Sequence, residues 1–137
     1  DSVNLASRIE GLTRVYDAKI LISHNCINKL ENPDNWIYRI VDYVKVKGKN
    51  EKISMIELLD PDLDNTSRLK TNYLDTFNQA FQHYQSGDFK AAAHTFYGIY
   101  KKNPADKSAA LLCKRSRLFS NKGIPMNWDG TIEYKFK

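Results

Sequence analysis

Asn4 and Arg8 stand four residues apart in a stretch whose apolar positions, Leu5, Ile9, Leu12 and Tyr16, follow the spacing of one helix face. Residues four apart sit one turn apart on the same face, so the amide of Asn4 and the guanidinium of Arg8 would lie side by side next to the apolar stripe. Such a pair at a helix start can grip a ribose and its phosphate chain, and the partial positive charge of the helix N-terminus adds to that grip. The same spacing also fits a plain capped helix. Asp1 or Ser2 can accept a hydrogen bond from a free backbone N–H, and Arg8 would then be a solvated cation. Further along, Lys45, Lys47 and Lys49 repeat every second residue, which in a strand puts three ammonium groups on one face. On spacing alone this is a solvated lysine row.

The elements that must position these groups follow from pattern. Ser2 to Tyr16 reads as a helix weakened by Gly11, and Lys19 to Ser23 as a short buried strand rich in branched residues. His24 to Leu30 reads as a short helix stopped by Asn32-Pro33. Trp36 to Gly48 reads as one or two strands, Lys49-Asn50-Glu51 as a turn, and Ile53 to Leu59 as a returning strand. Helix, strand, helix, hairpin is α+β grammar. Asp60-Pro61-Asp62-Leu63-Asp64-Asn65-Thr66-Ser67 is polar and acidic and reads as a linker or turn, with 60–70 as its span. Beyond it, Tyr73–Ser86, Lys90–Lys102 and Ala105–Asn121 are expected helices, the first two joined at Gly87-Asp88-Phe89. Gly123 ends the third, Pro125 prevents its restart, and the last residues read as a turn and a short strand.

Composition narrows the classes. With 137 residues, 42% hydrophobic and 27% charged, the chain can build a packed core. No apolar run approaches the ~20 residues of a membrane helix. Cys26 and Cys113 are far apart and unpaired by any C-x-x-C spacing, which argues against a disulfide framework or zinc ribbon and for a reducing cytoplasm. Both read as buried small apolar residues. His24, His83 and His94 lack metal-ligand spacing. The net charge of +5 falls on residues 61–137, since residues 1–60 carry equal numbers of acids and bases. Aromatic and basic residues do not interleave in sequence on one expected surface, so no nucleic-acid partner is expected. Trp36 and Trp128 read as packing anchors.

The run Asp1-Ser2-Val3-Asn4-Leu5-Ala6-Ser7-Arg8-Ile9-Glu10 resembles the transition-state motif of class III nucleotidyl cyclases, G-[DE]-[ST]-V-N-x-A-[SA]-R-[IL]-E, at every position after the leading glycine. Ala18 to Ser23 resembles that family's next strand, Tyr43 to Lys49 its V-K-G-K-G segment with Asn50 in place of the last glycine, and Ile53 to Leu58 its closing strand. The resemblance covers about residues 1–59. It implies the C-terminal part of a ferredoxin-like α+β catalytic domain, followed by an all-α tail. It further implies that Asn4 orients the ribose, that Arg8 binds the phosphates and stabilises transition-state charge, and that Lys47 contacts the terminal phosphates. The family's metal ions, Mg or Mn, are held by aspartates that would precede Asp1, as would its base-reading residues. No metal ligand is therefore expected in this chain, and adenine is not separated from guanine. The implied activity is that of a lyase making a cyclic nucleotide second messenger, with ATP as substrate in a homodimer whose active site is shared. The chain alone would be inactive.

Tyr73 to Asp106 resembles one tetratricopeptide repeat, through Ala80, Tyr84, Gly87, Asp88, Phe89, Ala92, Phe96 and Pro104. Residues 71–137 are accordingly expected to form a tetratricopeptide-like tail, its third helix capping the repeat. Bacterial adenylate cyclases often close on a similar P-x-x-W-D-G, matched here by Pro125, Trp128, Asp129 and Gly130. The tail is expected to act as a structural cap or to take a protein partner. The competing reading of the whole chain is a non-catalytic interaction module. The expected location is the cytoplasm, either free or as the cytoplasmic part of a larger membrane-attached or sensor-linked protein.

Overall fold

The computed structural model describes Tyr16, Ile20–Leu21, residues 36–46 and residues 52–134. The expected helix over His24–Leu30 and the turn at Lys49-Asn50-Glu51 lie outside these residues, as does all of the first helix except Tyr16, which is helical. The fold is mixed α+β. It divides into two compact units, residues 1–58 with 131–137, and residues 59–130.

The first unit holds a four-stranded sheet of β1 (Ile20–Leu21), β2 (Ile37–Val46), β3 (Lys52–Leu59) and β4 (Ile132–Tyr134), in the order β1-β3-β2-β4. β1 runs antiparallel to β3, with Ile20 opposite Glu57. Side-chain contacts fix the sense of the β2–β3 hairpin. Arg39 meets Glu57 and Tyr43 meets Lys52, so advancing along β2 retreats along β3 and the two are antiparallel. Both faces of β3 are covered. Ile53, Ser54, Met55, Ile56 and Glu57 are all buried in succession, and β3 has a paired strand along each edge. The short strand at the end of the chain is β4. It pairs in parallel with β2, with Val44 opposite Ile132 and Lys45 opposite Glu133. Opposite charges facing across a ladder favour that register. Trp36, the residue before β2, is 44% exposed.

The second unit is helical: α1 (Asn65–Asn72), α2 (Leu74–Ser86), α3 (Phe89–Lys102) and α4 (Lys107–Lys122). The expected linker over 60–70 is thus only partly a turn. Leu63 N–H closes back onto Asp60 O at 3.1 Å, and α1 starts at Asn65. Asp64 starts it by accepting the Ser67 N–H at 2.7 Å, so an acidic residue that looked like linker chemistry is a helix cap. These contacts with Ser67 hold the Asp64 carboxyl below its ordinary value. The cap's contribution to stability is therefore present above the ordinary carboxylate pKa and is lost as pH falls through the lowered one. Asp88 and Asp106 cap α3 and α4 in the same way, accepting from Ala91 and Ala109 N–H, each at 3.2 Å.

Gly87 reverses the chain between α2 and α3 with φ of 89°, a conformation that costs other L-residues steric strain. α3 packs against both α2 and α4. The seam is aromatic: Phe77, Phe81, Tyr84, Phe89 and Phe96 are all buried, with Phe77 and Phe96 edge to face at 5.4 Å. Trp128 closes one end of the unit. Its ring lies 5.3 Å from those of Tyr84 and Phe89 and 5.6 Å from that of Phe119, while its indole N–H donates to the carbonyls of Tyr84 and Gln85. Trp128 is therefore a packing anchor, as expected. Its N–H thus adds a donor at the end of α2, where the Tyr84 carbonyl also accepts the Gly87 N–H at 3.2 Å.

Candidate functional site

Asn4, Arg8 and Lys47, the residues the sequence singles out for phosphate and ribose chemistry, lie outside the described residues. What the structure describes is the framework that adjoins them in the chain. Tyr16, the last apolar position of the Asn4–Arg8 stretch, is fully buried, and its hydroxyl donates to Asp42 Oδ2 at 2.5 Å. Asp42 is itself fully buried in β2, and its other oxygen accepts the Tyr43 N–H at 2.9 Å. The end of that stretch is thereby tied to the strand that runs on to Lys47. In β2, Val44 is buried while Lys45 on the opposite face is only half-buried.

A second buried link stiffens the hairpin. Arg39 Nε donates to Glu57 Oε1 at 2.8 Å, and Nη2 lies 2.8 Å from the same oxygen, with both side chains almost wholly out of water. At the other end of the hairpin, Lys52 Nζ lies 4.2 Å from the centroid of the Tyr43 ring, within cation–π range. Sequence reasoning took Tyr16 only as an apolar helix position and passed over the pairing of Arg39, Asp42 and Glu57. The signal was present as ionisable residues inside otherwise apolar strands, Ile37-Tyr38-Arg39-Ile40-Val41-Asp42 and Ile53-Ser54-Met55-Ile56-Glu57. Charges at such positions are seldom buried unless paired.

Among the described residues no group of three or more His, Cys, Asp and Glu could hold a metal ion. Cys113 is a free, buried thiol pushed above its ordinary pKa by burial, with Arg117 pulling weakly the other way. It is therefore protonated and a poor nucleophile at neutral pH. No helix among the described residues is long and apolar enough to cross a membrane.

No family model matches the chain, and no solved structure matches it. Curated proteins do. The chain is 49% identical over 59 residues to an adenylate cyclase of Anabaena cylindrica, an alignment covering 42% of this chain and 12% of that protein. It is 30% identical over 116 residues to the adenylate cyclase, terminal-differentiation specific, of Dictyostelium discoideum, covering 84% of this chain and 6% of that protein. The chain therefore spans only a small part of the length of either relative. The second alignment is too long to be confined to residues 1–59, so it includes part of the helical unit. These similarities relate the chain to adenylate cyclases.

Proposed function

We propose that this chain is part of a class III adenylate cyclase, the portion that brings the transition-state Asn and Arg to a site shared between two subunits. The reaction joins the ribose 3′-oxygen of ATP to the α-phosphorus and releases pyrophosphate. In this reading Asn4 orients the ribose. Arg8 stabilises charge as it develops on the phosphates, and Lys47 holds the terminal phosphates. Mg or Mn ions would neutralise the polyphosphate, held by residues outside this chain. The helical unit is a tetratricopeptide-like structural element and a surface for a protein partner, and the protein works in the cytoplasm.

The observation that carries the reading is the pair of similarities to adenylate cyclases, one of which extends into the helical unit. The Tyr16–Asp42 hydrogen bond supports it, because it joins the stretch bearing Asn4 and Arg8 to the strand leading to Lys47. The test is cyclic AMP formation from ATP with Mn²⁺. The purified 137-residue chain is expected to make none, while a longer protein containing it makes cyclic AMP readily. Product from the short chain, or none from the long one, would overturn the assignment. The competing reading of a purely non-catalytic module predicts no product from either.

A further inference from the structure

The helical unit concentrates charge that the cyclase reading does not use. With their caps, α3 and α4 together carry eight Lys and Arg against two acids, Asp88 and Asp106. Asp106, the cap of α4, is fully buried, which leaves Asp88 at the start of α3 as the one exposed carboxylate beside these cations. On α3, Lys90, His94, Tyr97 and Lys101 follow helical spacing and are all exposed. The guanidinium of Arg117 on α4 lies 4.9 Å from the Tyr97 ring centroid, and Lys101 Nζ lies 5.8 Å from it. These contacts join the cations of the two helices into one surface. Beside it opens a groove of about 320 Å³, lined among others by Tyr73, Thr76, His94, Gly98 and Lys102.

Gly98 is the unexplained residue in this groove. It sits inside α3, where glycine is less favourable than alanine because it loses more backbone freedom on folding. Its backbone is not in the left-handed region, and a Cβ built there would meet nothing within 4 Å. Neither conformation nor internal packing calls for glycine. A local rule broken without a packing gain points to function, and a bare stretch of helix is where another main chain can approach closely.

We propose that the groove and its flanking cations dock an acidic protein segment. Its main chain passes over Gly98, and its carboxylates meet Lys101, Lys102 and Arg117. Charge complementarity selects an anionic partner, and the aromatic geometry selects a protein over a single-stranded nucleic acid. Bases need open ring faces on which to stack. The Tyr97 ring is engaged by Arg117 and stacked with Tyr100 at 6.4 Å, while Lys102 Nζ lies 5.3 Å from the Tyr73 ring centroid. What the surface presents is ammonium groups and the fork of a guanidinium, which matches carboxylates.

The experiment uses the full chain and a fluorescein-labelled peptide of alternating Glu and Leu, read by anisotropy, with its Gln analogue and an oligothymidylate of equal charge as comparisons. The Glu peptide is expected to bind, and the Gln analogue and oligothymidylate to bind at least ~10-fold more weakly. Gly98→Leu, which changes no charge, is expected to weaken binding by ~10-fold or more, as is Lys101→Glu with Arg117→Glu. Gly98→Ala is expected to raise the melting temperature while weakening binding, which separates a blocked groove from a damaged fold. Absence of peptide binding, equal binding of oligothymidylate or of the Gln analogue, or binding indifferent to Gly98→Leu would each overturn the proposal.

Discussion

Arg8→Ala, made in a longer protein that contains this chain, is expected to lower kcat for cyclic AMP formation by ~10²–10³ with little change in KM. As the 3′-oxygen closes on the α-phosphorus and pyrophosphate departs, negative charge shifts across the phosphate oxygens. A guanidinium held at that point interacts more strongly with the transition state than with bound ATP, so its loss falls on kcat. Asn4→Ala is expected to act in the same direction, through loss of ribose orientation rather than of charge. Arg8→Lys should recover only part of the rate, because an ammonium lacks the fixed fork of donors. Steady-state kinetics on purified variants checks this. An unchanged kcat in either alanine variant, or an effect confined to KM, would remove these residues from the reaction.

The second large effect concerns the frame behind that site. Glu57→Ala takes away the carboxylate oxygen that Nε and Nη2 of the buried Arg39, 2% exposed, both reach at 2.8 Å. Removing one member of a buried pair typically costs ~3–5 kcal/mol, because the remaining charge stays desolvated. Replacing both members, Arg39→Met with Glu57→Leu, should restore most of that loss, since the charges are then absent rather than stranded. Urea unfolding of the 137-residue chain measures both variants. A single variant as stable as the parent chain, or a double variant no better than the single one, would show that the pair does not bridge β2 and β3 in solution.

The strands of the hairpin could be read from the sequence because their cues are local: apolar residues at alternate positions and a polar turn between them. The helical hairpin was equally plain, with Gly87 at the reversal and small Ala80 and Ala92 between the aromatics. What could not be read depends on distant pairing. β4 owes its place to β2, whose Val44 is opposite Ile132 far along the chain, and three residues of local sequence do not specify such a partner. Arg39 and Glu57 lie eighteen positions apart inside apolar strands, and their burial as a pair depends on the pairing of β2 with β3. Asp64 was read with an acidic linker because Asp60, Pro61 and Asp62 surround it. Its role as a cap depends on the helix that follows. Among the site residues, Asn4, Arg8 and Lys47 were marked by motif. The buried Tyr16–Asp42 link came from the structure, since nothing in the spacing of the two residues pairs them.

The proposed division of labour is that one subunit supplies Asn4 and Arg8 while its partner supplies the metal-binding aspartates. The most direct test mixes two inactive forms of the longer protein, one carrying Arg8→Ala and the other lacking those aspartates. The account predicts that neither makes cyclic AMP alone and that the mixture does, because one of the two shared sites in a mixed dimer is intact. A mixture as inactive as its parts, with mixed dimers shown to form, would contradict it.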